Sequence, residues 1–150
     1  MPNPLYNSVD YTATIKKTRE FLADYHMWHV EAAHFSSWVK SPSNFGTPSY
    51  HSTENTVENR VVDQANAQFE CELRTKTLEQ LATVDNESAL LSDLLLFRWI
   101  NNWSVKKTCT ELAEKYQRGF IAERTYANYL KKALWEFAVI CPRSLFVQKS

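Results

Sequence analysis

The chain has 150 residues, 44% of them hydrophobic and 13% aromatic, so it is long enough and apolar enough to bury a core. Lysine and arginine together number 17, as do aspartate and glutamate, and this zero net charge argues against a nucleic-acid binder that relies on charge alone. Only two glycines are present and the cysteines form no CxxC pair, which excludes a glycine-rich phosphate loop and a zinc knuckle. Because glycine is scarce and the proline-free runs are long, we predict an all-α fold.

Signals for catalysis, metal binding and membranes are also missing. Ser104-x-x-Lys107 imitates a nucleophile motif without its partner motifs, and no apolar-flanked pair of carboxylates occurs. His26, His29 and His34 lack the i, i+4 spacing of a helical metal site. The N-terminus has no apolar leader, and there is no run of about 18 apolar residues. We therefore expect no enzyme, no cofactor, no metal and no membrane contact, and a cytoplasmic location.

A long helix is predicted over residues 10–40. Its aromatic residues Trp28, Phe35 and Trp38 form either part of a core or a face that binds another protein. Apolar residues repeat at alternating steps of four and three, the spacing of a coiled-coil-like seam, at Phe21, Tyr25, Trp28, Ala32, Phe35 and Val39.

A polar loop at 41–54 separates this helix from a second one, predicted over about 56–83. Asn55 followed by Glu58 fits a capping box at the start of the second helix. We predict that residues 1–84 form a helical hairpin that dimerises or binds a partner. The apolar residues that the second helix offers for burial are Val57, Val61, Ala65, Phe69, Leu73 and Leu81.

A leucine-rich third helix, about 87–101, is predicted to be buried and to support two shorter helices at 104–137. Ser104 is placed to cap the first of these. Gly119 lies in the polar join, where it permits the positive φ of a turn, and the second helix begins at about Ala122. The core-facing positions are Val105, Cys109, Leu112, Ala113 and Tyr116 on the first helix and Tyr126, Leu130, Ala133 and Phe137 on the second.

The last helix has a polar side suited to DNA. Arg124, Asn128 and Lys131 lie opposite its apolar stripe at about 100° per residue. These are side-chain types that recognise base edges in the major groove, where a helix–turn–helix places its second helix. Any amphipathic surface helix shows the same division, so this pattern alone does not decide. The side chains expected to contact phosphates are Lys106, Lys107, Arg118 and Lys132.

The charge distribution agrees with a DNA contact at one end of the chain. From Ser104 onward nine basic and four acidic residues give +5, whereas residues 1–75 carry six basic and nine acidic residues, or −3. We therefore predict that 85–141 is a helix–turn–helix DNA-binding domain. Pro142 should end its last helix, which leaves 142–150 as either a disordered tail or a short docking segment.

Residues 123–138, ERTYANYLKKALWEFA, resemble the recognition-helix end of the ArpU/RinA group of phage transcriptional regulators, whose C-terminal part is similar to region four of sigma factors. Residues 90–116 resemble the leucine-rich helix and the ELAE helix of that group. Residues 41–50 and 57–70 occupy the places of its polar loop and its second helix. The chain departs from the group in its longer QRGFIA join and at Ala122, which replaces a serine N-cap.

The resemblance implies long N-terminal helices followed by a sigma-region-four-like helix–turn–helix bundle. It also implies a regulator of phage late genes, for packaging and lysis, that binds double-stranded DNA in the bacterial cytoplasm. Its N-terminal helices would supply either dimerisation or a contact with host RNA polymerase. We expect a homo-oligomer, because one short recognition helix rarely supplies enough specificity. Two alternatives remain open: a protein–protein adaptor acting through the aromatic N-terminal helix, and a packaging DNA binder similar to a terminase small subunit.

Overall fold

The structure, a computed structural model, describes residues 7–39 and 51–150, with side chains described for 7–34 and 61–150. The described chain is all-helical, as predicted. The α-helices are Tyr11–Ala23 (α1), Tyr25–Val39 (α2), His51–Ala82 (α3), Asn86–Leu95 (α4), Val105–Lys115 (α5) and Glu123–Ile140 (α6). Helix α4 continues into a π-helical turn, Leu96–Ile100.

The N-terminal segment forms two helices rather than the single helix predicted over 10–40. They meet at Asp24, whose N–H bonds back to Glu20 and Leu22. The Nε of Arg74 donates to the carbonyl oxygen of Phe21 at 2.7 Å. In an unbroken α-helix that carbonyl would accept from the N–H of residue 25, so a contact from α3 coincides with the break.

Helix α3 begins at His51, so the predicted capping box at Asn55 is wrong and Asn55 lies inside the helix. Three of the residues predicted to be buried are exposed: Val61, Ala65 and Phe69. The side of α3 that faces the core is instead occupied in part by the ion pair between Glu70 and Arg74, which are 6% and 1% exposed. On this helix a salt bridge is buried, whereas Val61 and Phe69, which the apolar spacing predicted to be buried, are exposed.

The core surrounds α4, whose burial was predicted. Its four leucines, Leu90, Leu91, Leu94 and Leu95, are at most 1% exposed. Helix α6 lies chiefly against α4 and α1, with α3 beside them, while α5 rests on α4 and the π-helical turn. Because the same core cluster includes residues from α1 and from the end of α3, the predicted boundary at residue 84 lies within one core rather than between two.

The C-terminal segment is docked, which decides between the two predicted alternatives. Helix α6 ends at Ile140, before Pro142, as expected. Leu145 is 1% exposed, and Val9 and Gln148 form an antiparallel bridge. The N–H of Asp10 donates to the carbonyl oxygen of Val147 at 2.7 Å. The two ends of the described chain are thus held together across α1.

Candidate nucleic-acid interface

Helix α5 is fixed at both ends. Ser104 caps its start, as predicted, because its Oγ accepts from the N–H of Lys107 at 3.1 Å. At the other end the Tyr116 hydroxyl donates to Asp93 of α4 at 2.5 Å, and the Lys115 ammonium lies 2.7 Å from the same carboxylate. Burial, followed by this hydrogen bond, raises the pKa of Tyr116 well above its ordinary value. Asp93 therefore ties the end of α5 to the buried helix α4.

The join between α5 and α6 is a tight turn followed by an extended stretch. Gln117 and Gly119 have φ of 54° and 73°, and the N–H of Arg118 donates to the carbonyl oxygen of Ala113 at 2.9 Å. The positive φ predicted for Gly119 is therefore present. Ala122 occupies the N-cap position of α6 in an extended conformation and offers no side-chain hydrogen bond, as its chemistry requires.

The polar side of α6, formed by Arg124, Asn128 and Lys131, is exposed at all three residues. We name these three residues the α6 polar face. The opposite side of the helix enters the core, where Ala133 and Phe137 are 0% exposed. Among the described residues, neither Arg124 nor Lys131 pairs with a carboxylate, so both cations face solvent. Of the predicted core stripe, Leu130 is only half-buried.

Lys132, predicted to contact phosphate, has a protein partner. Its ammonium lies 2.7 Å from the carboxylate of Glu87 at the start of α4, with both side chains about half exposed. The hydrogen bond that Lys132 donates to Glu87 raises the pKa of Lys132. No signal in the sequence indicated this pairing, because 45 positions separate the two residues. A phosphate could engage Lys132 only in competition with Glu87.

The other three predicted phosphate contacts, Lys106, Lys107 and Arg118, are exposed. Lys106 and Lys107 lie in the first turn of α5, and the ammonium of Lys107 sits 4.3 Å from the centre of the Trp103 ring. Lys106 and Glu123 line one groove, which places the start of α5 and the start of α6 along the same surface depression. Arg118 lies in the join.

That depression, which we name the α5 groove, was not predicted. It has a volume of about 760 Å³ and runs along α5 beside the join. Phe120, in the join, lines the groove although 85% of its surface is exposed. In the sequence, the phenylalanine within the polar join was the one feature that could have indicated an apolar surface here. The remaining apolar wall residues are Val105, Cys109, Ala113 and Ile121.

The α2–α3 hairpin contains the predicted partner-binding residues. Trp28 is half-buried, and the side chains of Phe35 and Trp38 lie outside the described part of the structure. Five large apolar residues of this hairpin are at least 50% exposed: Met27, Val30, Val61, Val62 and Phe69. Val61 and Phe69 were predicted to be buried, and the sequence indicated no role for the other three.

No family model, curated protein or solved structure matches this chain. Within residues 7–39 and 51–150, no helix combines the length with the apolarity that a bilayer crossing needs. In the same residues no group of three or more His, Cys, Asp or Glu side chains could hold a metal ion.

Proposed function

We propose that the protein is a sequence-specific regulator of transcription that binds double-stranded DNA through α6. The observation that carries this proposal is the exposure of Arg124, Asn128 and Lys131 along the side of α6 opposite the core. An arginine can donate two hydrogen bonds to guanine, and an asparagine can pair with adenine in the same bidentate way. In this mechanism the α6 polar face enters the major groove and α5 crosses the phosphate backbone.

The surrounding charges support this orientation. Lys106, Lys107 and Arg118 are exposed near the two ends of α5, and the chain from Ser104 onward carries a net charge of +5. Contacts to phosphate position a protein on DNA without reading sequence, and each one makes the affinity more sensitive to salt. Lys132 would contribute less, since it must first leave Glu87.

The biological role proposed here rests on the resemblance to phage regulators. We propose control of late genes for packaging and lysis, with α5 and α6 acting as the helix–turn–helix. The α2–α3 hairpin would then supply the contact with RNA polymerase or with a second copy of the chain. In this chain α6 is held in place mainly by α4 and α1, and not by contact with α5 alone.

The test is selection of duplexes from a random pool, followed by binding measurements at several salt concentrations. Arg124→Ala and Asn128→Ala should each reduce discrimination at one base position by about 1–3 kcal/mol. Lys107→Ala should instead weaken binding to all duplexes alike and lower the salt slope by about one.

Lys17→Ala is the matched control, because Lys17 is an exposed lysine on α1 and belongs to neither α5 nor α6. This variant changes the net charge as Lys107→Ala does and should leave binding unchanged. Failure of every duplex to bind at low salt would reject the proposal. Equal losses from Lys17→Ala and Lys107→Ala would reduce the interaction to unspecific attraction between charges.

A protein–protein adaptor is the second candidate, favoured by the exposed apolar side chains of Met27, Val30, Val62 and Phe69. Exposed apolar groups of this size, gathered on one hairpin, are typical of surfaces that bind other proteins. Salt separates the two candidates, since an apolar contact loses little affinity as salt rises. Assembly into rings would instead favour a packaging protein of the terminase-small-subunit kind.

A further inference from the structure

The α5 groove combines apolar walls with an aromatic ring that its own fold leaves in water. Phe120 is 85% exposed, the largest value among the exposed large hydrophobic residues of the described chain. Its ring therefore gains little from the groove that it borders. Removing a phenyl ring from water is favourable, so both the ring and the groove walls would be stabilised by an apolar partner.

We propose that two copies of the chain associate through this groove about a two-fold axis, each inserting Phe120 into the groove of the other. A two-fold contact uses the same surface on both copies, so one surface must offer both an inserting group and a receiving cavity. The α5 groove offers both within a few residues. Its volume of about 760 Å³ lies in the range of cavities that enclose drug-sized groups, and a phenyl ring is smaller.

The charges along the groove favour a second copy over another partner. Lys106 and Glu114 both line the groove and lie on opposite sides of Thr110, four residues away in each direction. When two α5 helices run antiparallel with the axis near Thr110, Lys106 of each copy faces Glu114 of the other. The two ion pairs form by symmetry, and no parallel arrangement provides them. Along α5, the charges that line the groove are thus complementary to those of a second, antiparallel copy.

This contact leaves the α6 polar face free. None of Arg124, Asn128 and Lys131 lines the groove, whereas Lys106 does. In the dimer Lys106 is used across the axis, so Lys107 becomes the main phosphate contact of α5. The dimer is expected to form in the absence of DNA, so its formation does not depend on the proposed regulatory function. It also leaves the α2–α3 hairpin available to a different protein.

Sedimentation velocity of the full chain without DNA, over a wide range of protein concentration, tests the proposal. The wild-type chain should pass from monomer to dimer as the concentration rises. Phe120→Asp should raise the dimer dissociation constant about a hundredfold, because it removes the aromatic anchor at the centre of the contact. Phe69→Asp is the matched control on the hairpin, where Phe69 is 55% exposed, and should leave the dissociation constant unchanged.

Charge reversal provides the second arm. Lys106→Glu and Glu114→Lys should each raise the dissociation constant about tenfold, since each creates two pairs of like charges across the axis. The double variant should restore the wild-type value. Both substitutions suit the helix dipole, because they place an acid in the first turn of α5 and a base near its end, so loss of folding is not expected.

Three results would overturn the proposal. A wild-type chain that remains monomeric at every concentration would assign the groove to a different ligand or to none. A dimer that survives Phe120→Asp but is lost in Phe69→Asp would move the contact to the hairpin. A double charge variant as weak as either single variant would show that Lys106 and Glu114 do not face each other.

Discussion

Helix α4 and the α2–α3 hairpin use their apolar residues differently. The leucines of α4 are at most 1% exposed, whereas no described side chain between residues 25 and 66 is fully buried. The amino-acid sequence of each segment contains enough apolar residues to form part of a core. Helix α4 therefore supports α5 and α6, whereas the described part of the hairpin leaves large apolar side chains in solvent, namely Met27, Val30, Val61, Val62 and Phe69.

The boundary between these two regimes falls within α3. Val62 and Phe69 are exposed, whereas Glu70 and Arg74, which follow them along the helix, are buried. Arg143, after the end of α6, donates two hydrogen bonds to Glu70 at 2.7 and 2.8 Å. The guanidinium of Arg74 also lies 3.8 Å from the centre of the Phe21 ring. One carboxylate therefore links α3, α1 and the C-terminal segment where the hairpin leaves the core.

The largest expected effect on stability comes from replacing a phenylalanine in the core, and the same replacement on the hairpin should have little effect. Phe137→Ala should lower the free energy of unfolding by about 3–5 kcal/mol, because Phe137 is 0% exposed and its ring packs 6.0 Å from that of Phe21. Phe69→Ala, at an exposed position of α3, should change it by less than about 1 kcal/mol. Urea denaturation followed by circular dichroism measures both. Equal losses would mean that the hairpin surface is buried in the folded protein.

A smaller effect should appear at the boundary itself. Glu70→Gln removes both ion pairs and should cost about 2–3 kcal/mol at neutral pH, since it leaves buried Arg74 without its carboxylate. Glu72→Gln is the control, because the Glu72–Lys76 pair is exposed and should matter by less than about 0.5 kcal/mol.

The cost of Glu70→Gln should depend on pH in a defined direction. The hydrogen bond from Arg143 is the main cause that lowers the pKa of Glu70, and burial opposes it. Stability from a lowered carboxyl pKa is complete above the unfolded value of about 4.3 and is lost as the pH falls through the folded value. The difference between wild type and Glu70→Gln should therefore shrink below about pH 4. A difference that stays constant down to pH 2 would show that Glu70 contributes by packing alone.

Tyr116→Phe tests how firmly α4 positions α5. Loss of the hydrogen bond to Asp93 should cost about 1.5 kcal/mol and speed amide exchange in the last turn of α5. Tyr129→Phe is the control, since Tyr129 is half-buried on α6 and its hydroxyl has no hydrogen bond among the described residues. If the two variants were equally stable, Asp93 would not be the element that fixes α5.

The smallest expected change is a gain in stability. Ala122 already has the extended backbone of an N-cap, with φ −71° and ψ 156°, but no side-chain oxygen. Ala122→Ser should therefore stabilise the protein by about 0.5–1 kcal/mol, measured by urea denaturation. Ser104→Ala, which removes the cap of α5, should lose a similar amount. A loss from Ala122→Ser would indicate that the start of α6 is held by contacts that a hydroxyl disturbs.

Local sequence signals were sufficient for the C-terminal helices. Ser104 predicted its cap, Gly119 predicted a positive φ, and the spacing of Tyr126, Ala133 and Phe137 predicted the buried side of α6. The exposure of Arg124, Asn128 and Lys131 followed from the same spacing. These features depend on residues only a few positions apart, so the chain encodes them without reference to the rest of the fold.

Contacts between distant residues decided what periodicity could not. The break at Asp24 coincides with the bond from Arg74 to the Phe21 carbonyl, 53 positions apart, and the docking of the tail depends on pairing with the first described residues. Lys132 meets Glu87 for the same reason. Apolar spacing predicts which side of a helix can be buried. Which side is actually buried depends on where the other helices lie, and only the tertiary structure determines those positions.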